Sequence, residues 1–92
     1  MKVNFYATLR QIVGTKIVEV DVPEGITIRE LLHKVARMYP ALSREMFDKG
    51  GNLYPHIHVF VNGRESSFIE DNLEAQVKST DTISIFPAVG GG

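Results

Sequence analysis

Thr27-Ile28-Arg29-Glu30-Leu31-Leu32-His33-Lys34-Val35-Ala36-Arg37-Met38-Tyr39-Pro40 is the stretch whose reading decides the fold. It opens with a capping box: the Thr27 hydroxyl is placed to accept from the Glu30 backbone N–H, and the Glu30 carboxylate from that of Thr27. Ile26 and Leu31 occupy the two staple positions around that cap. Ile28, Leu31, Leu32, Val35 and Ala36 then recur at helical spacing, with Arg29, His33, Lys34 and Arg37 mostly on the other side. Tyr39-Pro40 ends the helix, because a residue before proline avoids the α region. One amphipathic helix with a single apolar stripe needs one apolar surface to cover, and the flanking segments supply it.

Upstream, Lys2 to Leu9 alternates, with Val3, Phe5, Ala7 and Leu9 on one side and Asn4, Tyr6 and Thr8 on the other. Arg10 to Thr15, with Gly14, reads as a turn, and Lys16 to Val22 alternates again with Val18, Val20 and Val22 inward. The two form a hairpin closed off by Pro23-Glu24-Gly25. Downstream, Ala41 to Lys49 reads as a short second helix held by Leu42, Met46 and Phe47 and stopped by Gly50-Gly51. Ile57 to Val61 is a strand ended by Asn62-Gly63, and Thr82 to Phe86 is the last strand, with Ile83 and Ile85 inward. Between them Phe68, Ile69, Leu73 and Val77 are the expected core anchors. The order predicts one α+β domain: a mixed sheet of four to five strands, one main helix on one face and a short second helix. The strand after the helix needs a crossover connection.

Composition narrows the function. The chain has 92 residues, 43% of them apolar, enough for one small core. Ten basic residues against eleven acidic ones leave a formal charge of −1, which argues against electrostatic binding of nucleic acid. No apolar run reaches transmembrane length and the first residues show no signal-peptide pattern, so a cytoplasmic location without membrane association is expected. Cysteine is absent, which removes disulfides, thiolate nucleophiles and Cys-based zinc sites.

The chain's last residues are Phe86-Pro87-Ala88-Val89-Gly90-Gly91-Gly92. Glycines add nothing to a core and cost the most to order, so the expected division is a domain over 1–87 and a flexible glycine tail over 88–92. Five residues reach at most ~16–18 Å. The expected functional group is therefore the terminal carboxylate, presented on a tether, rather than a side chain.

These residues together carry a resemblance. Phe5-Tyr6-Ala7 with Leu9-Arg10, Gly14, Val22-Pro23-Glu24-Gly25, Thr27, Leu31-Leu32, Tyr39-Pro40, Val59 to Gly63 and the Phe-Pro-Ala-Val-Gly-Gly-Gly ending are similar to the MoaD/ThiS family of ubiquitin-like sulfur carriers, nearly end to end. Gly90 stands where that family has serine or alanine, and the longer segment from Arg44 to His58 looks like a MoaD-related branch. The resemblance implies the β-grasp fold and a non-enzymatic role. An activating enzyme of the ubiquitin-activating type would use ATP to adenylate the Gly92 carboxylate, and a sulfurtransferase's persulfide or sulfide would convert it to a thiocarboxylate. Gly91 and Gly90 are then the slender lead into the partner's channel. The implied acceptor is the large subunit of molybdopterin synthase or an equivalent enzyme. Cysteine synthesis, tRNA thiolation and conjugation to target lysines are the alternatives. No bound cofactor or metal is implied for the chain itself.

In the β-grasp arrangement so implied, the first and last strands are central neighbours and the third flanks the last. Tyr6, Phe60 and Phe86 would then form one exposed patch at the root of the tail, with Thr8, His58 and Ser84 around it and Pro87 and Val89 leading away, as a partner surface. His56 and His58 share a strand face, but two ligands make a solvated or partner-facing pair rather than a metal site. Gly50-Gly51 lacks the lysine of a phosphate loop, and Ser66, Ser67 and Ser84 show no histidine–carboxylate arrangement. Glu65, Glu70, Asp71 and Glu74 read as a solvated face.

Overall fold

A computed structural model describes residues 1–87. In chain order it contains β1 (Lys2–Phe5), α1 (Ala7–Val13), β2 (Ile17–Glu19), α2 (Ile28–Met38), α3 (Pro40–Met46), β3 (Ile57–Val61), β4 (Arg64–Glu65), 3-10 turns at Ser66–Phe68 and Asn72–Glu74, and β5 (Thr82–Pro87). The five strands lie in the order β2-β1-β5-β3-β4. β1 and β5 run parallel and the other pairs antiparallel, so the sheet is mixed. A parallel central pair demands a crossover, and the segment holding α2 is part of it. This is the β-grasp, ubiquitin-like arrangement.

The capping box of α2 closes at both ends: Glu30 N–H donates to Thr27 Oγ1 at 3.1 Å, and Thr27 N–H to Glu30 Oε1 at 2.9 Å. Those bonds to Thr27 hold the Glu30 carboxyl below its ordinary range. Ile28, Leu31, Leu32 and Val35 are fully buried and Ala36 nearly so, in one cluster with Val3 and Phe5 of β1, Val59 of β3 and Ile83 and Ile85 of β5. Leu42 and Met46 of α3 join it, and Tyr39-Pro40 forms the break, with proline in the first turn of the new helix. Asn62 and Gly63 both take positive φ, 51° and 85°, which makes the two-residue β3–β4 turn of the mirror-image type that matches strand twist.

Three expectations fail locally. First, the alternation from Lys2 to Leu9 is strand only to Phe5, and the segment Arg10 to Thr15 is not a simple turn. Tyr6 N–H makes a sheet bond to Ile85 O, Ala7 then takes φ +53°, and the chain runs into α1. Leu9, with Ile12 and Val13, supplies the i, i+3, i+4 stripe of that helix; Leu9 is buried and the other two half-buried. Gly14, at φ +88°, closes the helix by donating to Arg10 O. β1 and β2 do pair antiparallel, but a helix joins them. Second, Phe68 is 74% exposed. Ser66 takes the buried position of that 3-10 turn, and a tight three-residue turn carries Phe68 away from the core. Ile69 and Leu73 are half-buried, and Val77 is the buried anchor of the segment. Third, α3 ends at Met46, before Gly50-Gly51: Phe47 turns extended and bridges to Leu53, and the Asp48 carboxylate accepts from the Gly50 and Asn52 N–H groups of the following turn. The sheet has five strands, within the expected four to five, and the fifth, β4, is too short to show a periodicity in the sequence. The described residues thus hold three α-helices around the sheet where two were expected.

Candidate functional site

β-strand side chains alternate sides, and the register assigns the sides here. Val3, Phe5, Ile57, Val59, Ile83 and Ile85 face the core. Asn4, Ser84, Phe60 and Glu65 therefore line up across the opposite face, with Phe86 and His58 level with each other one step nearer the end of β5. Tyr6 follows Phe5 out of β1 onto the same side.

The three aromatics expected to meet do so. Tyr6 and Phe86 stack with ring centroids 4.0 Å apart and planes 9° from parallel. Phe60 meets Phe86 edge-on at 5.2 Å and 77°. Both arrangements suit the ring quadrupoles. All three residues are half-buried, each ring packed against a neighbouring ring and each still partly open to solvent. Lys16 Nζ lies 5.4 Å from the Tyr6 ring centroid, within reach of a cation–π contact. Around the rings, Asn4 Nδ2 donates to Ser84 Oγ at 3.4 Å, and His58 Nδ1 stands 3.4 Å from Glu65 Oε1, which also accepts from the Ser67 hydroxyl at 3.1 Å. Thr8, expected beside the patch on a strand, stands exposed on α1 instead. The sequence reading missed Lys16, whose signal was weak, since its backbone pairs with Phe5 and only the length of its side chain carries Nζ over Tyr6.

Pro87 is the last described residue and lies level with Ile57, so β5 is paired with β3 up to its last described residue. Phe86, with one ring on each side, is its last side chain on the open face. Val89, Gly90, Gly91 and Gly92 lie outside the described residues.

The remaining candidates do not assemble into chemistry. His56 is exposed and stacks on Tyr54 at 5.3 Å; His33 stacks on Phe47, under α2, at 4.3 Å. Among the described residues no group of three or more His, Asp or Glu side chains is placed to hold a metal. No described helix is long and apolar enough to cross a membrane. What the arrangement offers is a surface: an aromatic patch on a rigid sheet, at the root of the chain's glycine ending.

Comparison with known proteins agrees with that geometry. The family model described as the ThiS family matches residues 3–92, so the match includes the glycine ending. The crystal structure of small archaeal modifier protein 1 from Haloferax volcanii superposes with a TM-score of 0.89 at 32% identity, covering 100% of this chain and 98% of that one. A putative sulfur carrier protein of Archaeoglobus fulgidus is 35% identical over 74 residues, 80% of this chain and 82% of its own length. A putative molybdopterin converting factor subunit 1 from Pyrococcus furiosus has a TM-score of 0.76 at 27% identity, over 96% of this chain and 95% of that one.

Proposed function

The chain belongs to the ThiS family, and on that premise we propose that it is a sulfur carrier, loaded at the Gly92 carboxylate and serving molybdopterin synthesis. Proteins of this kind are small carriers and ubiquitin-like modifiers rather than catalysts. The observation that carries the reading is the position of the Tyr6–Phe86–Phe60 patch, half-exposed on the last turn of sheet before the glycine ending.

The chemistry follows from what a carboxylate lacks. Its charge and resonance resist nucleophilic attack. Adenylation removes both obstacles: a carboxylate oxygen attacks the α-phosphorus of ATP, pyrophosphate leaves, and the acyl-adenylate keeps AMP as a good leaving group. Sulfide attacks the acyl carbon, AMP departs with its electron pair, and a thiocarboxylate remains. With a persulfide donor the first product is an acyl disulfide, which a thiol then reduces to the thiocarboxylate. Every catalytic group in these steps belongs to partners: an adenylating enzyme of the ubiquitin-activating type, a sulfurtransferase and an acceptor enzyme such as the large subunit of molybdopterin synthase. This chain contributes the docking patch, the rigid root at Phe86-Pro87 and the narrow Gly90-Gly91-Gly92 lead. The carrier holds no cofactor of its own in this scheme; ATP is consumed by the activating enzyme.

A second reading has its own support. The likeness to small archaeal modifier proteins covers the whole chain. In that reading the same acyl group is transferred to a lysine amine of a target protein, and an isopeptide bond forms. The two share activation and differ only in the nucleophile.

Intact-mass measurement separates them. The protein is incubated with ATP, its activating enzyme and a sulfur donor. A gain equal to exchanging one oxygen for sulfur, absent when Gly92 is deleted, is the result expected for a carrier. Lysine-linked conjugates without that gain would move the conclusion to the modifier. Neither product, with a competent activating enzyme present, would overturn both.

A further inference from the structure

The open face of the sheet carries opposite charges at its two edges. At the β2 edge, Lys16 reaches over Tyr6, and Arg10 lines the same shallow depression between α1 and β2. No carboxylate lines that depression, and neither cation is in an ion pair among the described residues. At the β4 edge, Glu65 is level with Phe60 and is held by Ser67 and His58. Its neighbour Arg64 pairs with Val61, a position of the core-facing register, and so belongs to the other side of β4. The remaining charges of the open face, Lys2 and Glu19, face each other at the far end, where the N-terminal ammonium sits 3.5 Å from Glu19. The aromatic patch therefore lies between a cationic edge and an anionic one. Four strand spacings of ~4.8 Å separate those edges, more than the ~8 Å Debye length at physiological salt. A docked surface meets them as two separate rims.

We infer that the surface of the activating enzyme that receives this patch has the opposite polarity: carboxylates against Lys16 and Arg10, and an arginine or lysine against Glu65, with an apolar pocket between them for the rings. This rests on the proposed function, whose partner it describes. Aromatic stacking alone tolerates a half-turn of the carrier about the normal to its sheet. Rims of opposite sign do not, because the half-turn sets cation on cation and carboxylate on carboxylate, and such juxtapositions are costly in a desolvated interface. The rims thus select one docking orientation, and the root at Phe86-Pro87 then points the glycine ending one way.

The test uses the full chain and its cognate activating enzyme, and reads ATP–pyrophosphate exchange as a function of carrier concentration. The variants are Lys16→Glu and Glu65→Lys. The control, Lys49→Glu, makes the same charge change as Lys16→Glu on the exposed turn after α3. Each rim reversal is expected to raise KM about tenfold at low salt with kcat nearly unchanged, and to alter the salt dependence of KM, whereas the control leaves both as in the parent. Rim reversals that behave like the control overturn the inference. If the parent chain supports no exchange, the function reading fails on its own terms, and calorimetric titration of the same enzyme still decides the docking. There, affinity lost on either reversal sustains the inference, and no binding, or binding indifferent to both reversals, overturns it. A two-fold pairing of copies about an axis along the strands would also set Lys16 against Glu65. A concentration-dependent dimer in sedimentation, dissolved by either reversal, would assign the rims to self-association and overturn the inference. Thermal melting of each variant verifies that the fold is intact.

Discussion

On β5, Ile83 and Ile85 are fully buried in the core cluster, while Ser84 and Phe86, each one residue away, stay half-exposed on the other side. The two faces of the sheet use apolar residues for different ends. On the core face, β-branched and aromatic side chains are enclosed by α1, α2 and α3 residues and their burial stabilises the fold. On the open face, Tyr6, Phe60 and Phe86 pack on one another, with Lys16 over Tyr6, and stay only half-buried. Their uncovered area is free energy still available to a partner. A single strand carries both faces because its side chains alternate, so stability and the proposed docking can be altered separately by substitutions one residue apart.

The largest expected effect is on the core face. Ile85→Ala should destabilise the domain by about 3 kcal/mol, since it removes buried methylenes and leaves a cavity. Urea denaturation measures this; a loss below 1 kcal/mol would mean that the core collapses around the gap and that the faces differ less than the burial implies. Phe86→Ala comes next and has the opposite profile. Its cost in stability should be about 1 kcal/mol, from the lost stacking, while carrier activation falls more than tenfold, as for a central aromatic at an interface. Equal losses of stability and activation would erase the distinction between the faces.

The smallest effect concerns what keeps the faces apart. A one-residue slip of β5 against β3 would exchange them entirely. At the end of the sheet far from Pro87, Asn62 donates to Asp81 and accepts from Thr82 N–H, and the Asp81 carboxylate also accepts from Lys78 N–H. The Lys78 N–H bond first, then the Asn62 bond, hold the Asp81 carboxyl below its ordinary value of 3.8. A depressed folded-state value means that this contribution is complete above that ordinary value and is lost as pH falls through the folded one. Asp81→Asn should therefore be slightly less stable than the parent at neutral pH, and the difference should shrink as pH falls below 3.8 and vanish below the lowered folded-state value. A difference that persists unchanged in acid would show that the charge of Asp81 contributes nothing to the register lock.

Much of this was legible in the sequence where neighbouring residues decide structure. The capping box at Thr27 and Glu30 placed the start of α2 to the residue, Tyr39-Pro40 placed its end, and the inward positions of β3 and β5 followed from alternation. The segment Tyr6 to Val13 was read wrongly because Ala7 and Leu9 continue the alternation of β1 by chance. The competing stripe Leu9-Ile12-Val13 is too short to outweigh it, and what favours the helix is burial of Leu9 by residues distant in the chain. Phe68 was read as an anchor from its apolarity, whereas its exposure follows from the geometry of the turn at Ser66.

The sequence by itself determined the amphipathic helix, the inward positions of β1, β2, β3 and β5, the near-neutral charge balance and the glycine ending, because helix caps, side-chain alternation and composition are properties of residues within a few bonds of one another. Only the tertiary structure decided how the rings of the expected patch meet, Tyr6 stacked on Phe86 and Phe60 edge-on to it, that Lys16 reaches that patch, and that Glu65 bounds it on the other edge. Those contacts depend on strand order, and strand order is set by the burial of the whole core at once, which no local pattern contains.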